Sequence, residues 1–293
     1  MRKLFFALLL IAAPSWASKP NILVSIKPLQ LIVTSLTEGQ LEVDYLISPN
    51  VSPHDYALRP SDVRRIRQAD LVIWVGEELE PFLTKPLSQT NTLQLTLLQL
   101  EGLNLIEGQE GHDHHQHGDH HHEVDPHIWL GLAETRVIAA AISQQLMALQ
   151  PQSKKLLEQQ LARFNQRLDS LEQEIMEQLA PVKQQGYFVF HDGYSYFERQ
   201  FGLNRLGEFT INPQRRPGAK TLQSIRQQLE QGSARCIFAE PQFDGALLEN
   251  ISKDSGAQIS LLDPLGISVE QDAQGYFALL RQLANTYHEC LSD

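Results

Sequence analysis

Short apolar runs recur along this chain, each followed by a stretch of helical periodicity, and that alternation restricts the fold more than any other feature. Ile22–Ile26, Leu41–Ile47 and the unbroken run Leu71–Val75 read as strands in the first half. Tyr187–Phe190, Cys236–Ala239 and Ile259–Leu262 repeat the style in the second. A strand that is apolar on both faces has to be covered on both, as in a parallel sheet with crossover helices packed above and below it. Helices are predicted at Leu29–Thr37, Pro60–Ala69, from near Ala133 onward, and at Tyr196–Phe201, Leu222–Gln231 and Tyr276–Tyr287. The pattern predicts an α/β chain of two lobes, each a mostly parallel sheet flanked by helices.

Between the lobes stands the most regular helical signal. Leu157, Leu161, Phe164, Leu168, Leu171, Ile175 and Leu179 recur at spacings of three and four, with Pro151 at the start and Pro181 at the end. A helix over 152–180 would run roughly 43 Å, longer than one small domain is wide. It is expected to pack across both lobes as a stiff backbone; a coiled-coil dimer is the alternative for a single apolar stripe. The expected division is a first lobe over 18–150, a connecting helix over 151–181 and a second lobe over 182–293.

The N-terminus speaks to location. Arg2 and Lys3 precede the apolar run Leu4–Ala13, Pro14 breaks it, and Ser15-Trp16-Ala17 offers small residues at the cleavage positions. That is a secretory signal peptide over 1–17, cleaved after Ala17. The run is about half the roughly 20 residues a membrane span needs, and no cysteine lies nearby to carry a lipid, so no membrane anchor is expected. In an oxidising compartment the only two cysteines, Cys236 and Cys290, are expected to form a disulfide. Closing a loop of about 55 residues would contribute roughly 3–4 kcal/mol. At 42% hydrophobic and 20% charged residues the chain is neither disordered nor collagen-like. The net charge of −11 argues against nucleic acid as a partner. A soluble, exported, once-bridged chain points to a bacterial periplasm.

Histidine is the compositional oddity, with 11 residues beside 2 Cys and 3 Met. His112, His114, His115, His117, His120, His121 and His122 fall within the low-complexity stretch GQEGHDHHQHGDHHHE, in a loop over 108–124. With no large apolar residue the stretch cannot fold alone, and its imidazoles and carboxylates suit weak auxiliary binding of transition metals. Of the other four, His54 follows the strand 41–47 in a Pro-bracketed loop, His127 precedes a helix, and His191 directly follows the strand 187–190. In open α/β sheets that edge is where ligands bind. Two come from the first lobe and one from the second, which places a site in the cleft between them. Asp263, after the run 259–262, is a fourth candidate, and His288 reads as a surface residue. Three imidazoles and a carboxylate suit Zn²⁺. Asp55, Asp125 and Asp192 flank the histidines, either as acceptors for the free imidazole N–H or as ordinary loop caps.

At these residues the chain resembles the ZnuA-like zinc-uptake periplasmic binding proteins of ABC transporters, within the metal-binding cluster of solute receptors. The matching segments are SPHDYALRPSDVRRI, ADLVIWVGEELEPF, DPHIWL with the His tract before it, YFVFHDGYSYFERQFGL, INPQRRPGA, FAEPQF and LDPLG. The resemblance implies two α/β lobes joined by one long helix, with the metal between them. It also implies His54, His127 and His191 as ligands, with Asp263 where manganese-type relatives supply a carboxylate. Those relatives carry Glu where this chain has His191, which favours zinc. Some zinc members have a carboxylate just before the first histidine. Here that residue is Pro53, so the fourth ligand stands open between Asp263, a water and a residue of the His tract. The implied function is a monomeric periplasmic receptor that delivers Zn²⁺ to a membrane permease driven by a cytoplasmic ATPase. The alternatives are a manganese or iron receptor of the same fold, an adhesin, and a secreted zinc hydrolase. Against the hydrolase, no HExxH is present: His122-Glu123 is followed by Pro126 rather than a second His.

Overall fold

The computed structural model describes residues 19–107, 124–211, 213, 217–243, 245–253 and 255–292; the segment read as a signal peptide and the tract His112 to His122 lie outside them. The first half runs β1 (Ile22–Ile26), α1 (Lys27–Leu36), β2 (Val43–Ile47), α2 (Pro60–Gln68), β3 (Leu71–Trp74), α3 (Pro81–Ser88), β4 (Leu93–Thr96) and α4 (Leu132–Leu149). After α5 (Lys154–Leu179) the second half runs β5 (Tyr187–His191), α6 (Ser195–Phe201), β6 (Arg205–Thr210), α7 (Ala219–Glu230), β7 (Cys236–Ala239), α8 (Ala246–Ser252), β8 (Gln258–Leu261) and α9 (Gly275–Ser292). The two sheets have the same plan, β2-β1-β3-β4 and β6-β5-β7-β8, and every strand pair is parallel. Each chain path leaves its first strand to one side and then crosses to the other. The crevices at the strands' carboxyl ends therefore open between β1 and β3 and between β5 and β7.

Four of the apolar runs became the central strands β1, β3, β5 and β7, buried at every position, and the runs 41–47 and 259–262 gave the outer strands β2 and β8. The expected two-lobed parallel architecture is the observed one. β4 (LQLT) and β6 (RLGEFT) were not anticipated, because each is an outer strand of its sheet with polar residues interleaved and one face poorly covered. Leu93, for instance, is 50% exposed.

The long helix α5 begins at Lys154 after a short 3₁₀ turn, Pro151–Ser153. Its stripe is covered inside the chain by α1, α4 and α9. Leu157, Phe164, Leu168, Leu171, Ile175 and Leu179 are all buried, which leaves that stripe no face for a coiled-coil partner. A second helix shares the spanning role. α9 opens against the first half, where the Tyr276 N–H donates to Ser35 Oγ (3.2 Å) and the Tyr276 hydroxyl donates to the Trp129 carbonyl (2.7 Å). It closes on the second half, where Cys290 in its last turn is disulfide-bonded to Cys236 at the start of β7. One apolar core consequently runs through both halves.

The loop after β8 is fastened across the same boundary. Lys27, only 4% exposed, donates from Nζ to the carbonyls of Ile267 (3.0 Å) and Val269 (2.7 Å). Trp129 Nε1 donates to the carbonyl of Pro264 (3.0 Å).

Candidate metal centre

The three cleft histidines arrive on different supports. His54 sits in the 3₁₀ turn Pro53–Asp55 beyond β2, whose first free N–H is capped: the His54 N–H donates to Ser52 Oγ (3.3 Å). His127 precedes the turn Ile128–Leu130, and Asp125 Oδ1 accepts from both its backbone N–H (2.9 Å) and its ring Nδ1 (2.7 Å). His191 is the last residue of β5, and its Nδ1 lies 3.1 Å from Glu240 Oε1. Glu240 directly follows β7, so the β5–β7 pairing sets this contact.

With a carboxylate holding each Nδ1–H, the Nε2 lone pairs of His127 and His191 are free to act as ligands, and the rings cannot swing. The nitrogens converge. One ligand atom from each of His54, His127 and His191 lies within 4.8 Å of the others, and the Nε2 atoms of His54 and His127 are 3.3 Å apart. A tetrahedral zinc with Zn–N of about 2.0–2.1 Å places its nitrogens roughly 3.3–3.4 Å apart. His191 Nε2 is buried with no hydrogen-bond partner among the described residues. It faces a cavity of about 20 Å³ lined by the three histidines and walled by Trp129, Phe243 and Leu265. A soft-walled cavity the size of one small ion, ringed by imidazole nitrogens, fits a divalent transition metal.

The electrostatics divide the rings. Burial, with the two neighbouring imidazoles, holds His54 well below the usual histidine range, so it stays neutral and ready to ligate. For His191 burial works against the charged form, but the charge and hydrogen bond of Glu240, with Asp192 and Asp125 farther off, outweigh it and move it upward. Burial would raise Asp125, yet the charge and hydrogen bonds of His127 keep it below the ordinary carboxylate range.

Asp263 is placed otherwise. Its Oδ1 accepts the N–H groups of Leu265 (3.1 Å) and Gly266 (2.9 Å), its Oδ2 accepts that of Ile267 (2.5 Å), and it is not in the three-histidine group. The carboxylate is engaged in shaping the loop that Lys27 grips. Of the flanking acids, Asp125 orients a ring, Asp192 binds Ser195 and Arg205, and Asp55 is exposed. His288 lies away from the group, on α9 near Ser292. Sequence reasoning passed over Glu240. The signal available was its position, an acid directly after a central apolar strand in FAEPQF.

Gly193 closes the centre from behind. A Cβ there would come within 2.9 Å of His191 Cε1, 3.0 Å of its Nδ1 and 3.3 Å of His127 Cδ2. Gly193→Ala is therefore expected to push both rings off line and weaken zinc binding about tenfold while the protein stays folded. Isothermal titration beside circular dichroism checks both parts.

Two open parallel sheets spanned by long helices, with three imidazoles meeting between them, make the architecture of a metal-binding solute receptor. A family model described as zinc-uptake complex component A, periplasmic (ZnuA), matches residues 22–290. The chain belongs to that family. It is 44% identical to the high-affinity zinc uptake system protein ZnuA of Yersinia pestis, over 97% of this chain and 95% of that one. It is 37% identical to the protein of that name from Haemophilus ducreyi, over 93% and 94% of the two chains. Among solved structures, a crystal structure of ZnuA superposes with a TM-score of 0.81 at 26% identity, covering 94% of this chain and all of the other.

Proposed function

We propose that this chain is a periplasmic receptor that captures Zn²⁺ with His54, His127 and His191 and delivers it to a membrane permease powered by a cytoplasmic ATPase. The observation that carries the reading is the convergence of the three imidazole nitrogens on one ion-sized cavity, all within 4.8 Å of one another and the His54–His127 pair at the 3.3 Å of a tetrahedral edge. Residues 18–150 and 182–293 act as its two lobes and 151–181 as the connecting helix. It works as a monomer, after removal of the signal peptide near Ala17. Among the described residues no helix is long and apolar enough to cross a membrane. The His tract supplies auxiliary metal binding. The reading assigns the protein no catalysis. A zinc hydrolase needs a general base at the metal, and here Asp125 and Glu240 are both bonded to imidazoles.

Three neutral nitrogens favour zinc over manganese, which prefers oxygen donors. Native mass spectrometry of the metal-free protein offered equal Zn²⁺ and Mn²⁺ tests this. The zinc form should dominate, and a manganese-loaded majority would overturn the assignment.

The pH response has a definite sign. A metal must displace the proton from His191, whose affinity for it is raised, whereas His54 is already neutral. Zinc affinity should therefore start to fall above the ordinary histidine value of about 6.5 as pH drops, by about tenfold per unit for one proton. Chelator competition between about pH 8 and 5.5 reads this directly, and a flat response down to about pH 6 would contradict it.

A further inference from the structure

We infer that Gln242 sets the fourth position at the metal: its side-chain carbonyl accepts a hydrogen bond from the water that completes the tetrahedron. The inference rests on the three-histidine reading and concerns a residue that reading does not use. Gln242 lies two residues beyond Glu240, past the carboxyl end of β7, and its side chain lines the same cavity as the three histidines.

Its amide is oriented by its neighbours. Nε2 donates to the carbonyl of Pro49, in the loop that leads to His54, at 2.9 Å. The Asp263 carboxylate, a second acceptor whose pKa burial raises, is near enough for the amide to lower it in part. Both partners are acceptors, so the nitrogen must face them and the oxygen must face away. That oxygen, Oε1, is buried and has no hydrogen-bond partner among the described residues. His191 Nε2 is in the same condition on the same cavity.

Once a cation has taken the His191 lone pair, Gln242 Oε1 is still a buried acceptor, and leaving it unpaired is unfavourable. A cation answers the imidazole, and a water bound to that cation answers the amide, because a metal-bound water is a strengthened donor. Among the described residues the other polar groups at the cavity have tasks of their own, Ser52 Oγ accepting the His54 N–H. Asp125 and Glu240 hold imidazoles, Asp263 holds its turn, and Pro53 has no side-chain donor atom.

Cobalt(II) substituted into the mature full-length chain tests this, because its visible bands report coordination and azide can displace a bound water. Gln242→Leu removes the anchor of the water, so azide should bind about tenfold more tightly than to the parent. Gln242→Glu puts a carboxylate at the position, so azide should fail to bind. Both variants lose the Nε2 bond to Pro49, so a purely structural role would move azide binding the same way in each. Equal azide affinity in the parent and Gln242→Leu, or an intact azide site in Gln242→Glu, overturns the inference. His191→Ala separates it from the underlying reading. Loss of the parental cobalt bands there upholds the three-histidine site whatever Gln242 does, whereas unchanged bands sink the site and this inference together.

Discussion

Replacing His191 with alanine is expected to weaken zinc binding by roughly one hundredfold to seven hundredfold. Protein zinc sites bind with about 10–16 kcal/mol, so each of a few ligands carries roughly 3–4 kcal/mol, and each 1.4 kcal/mol is about a factor of ten. His191 is the second half's only contribution to the three-histidine group, which makes it the ligand that ties the metal to both halves. Its loss also strands Glu240, whose side chain is 4% exposed and would be left with a buried carboxylate beside the cavity. Pairing His191→Ala with Glu240→Gln should restore stability without restoring affinity. Calorimetric titration and urea unfolding on the same samples separate the two effects. Parent-like affinity in His191→Ala would mean that the metal sits elsewhere.

The second large effect is on stability. Substituting Cys236 and Cys290 with serine should cost roughly 3–4 kcal/mol, the entropy of a loop spanning about 55 residues. The bridge ties β7, a central strand, to the last turn of α9, which begins on the other half. Urea midpoints of the oxidised, reduced and doubly substituted proteins measure the effect. A loss below about 1 kcal/mol would show that the core alone holds the terminal helix.

What the sequence revealed follows from how local each feature is. His54, His127 and His191 were legible because each stands beside its own strand or helix signal, and parallel α/β sheets present those ends to ligands. The central strands were legible because unbroken apolar runs have few other uses. β4 and β6 were not, since polar residues interrupt any such run in LQLT and RLGEFT, unlike the outer strands β2 and β8. Glu240 meets His191 only because β7 pairs beside β5, a register that no local pattern encodes. Asp263 is the converse case. Its position after a strand marked it as a ligand candidate, and the structure adds a role that no local pattern announced: three backbone N–H groups a few residues on engage its carboxylate, turn geometry that cannot be read from LDPLG. The reach of α9 was missed for a related reason: its apolar pattern gives a helix without saying that two bodies share it.

The grip of Lys27 on the carbonyls of Ile267 and Val269 spans the seam between the halves. Any opening along that seam must first release both oxygens from a nearly buried ammonium ion, and a charge stripped of its partners has to be rehydrated before the seam can widen.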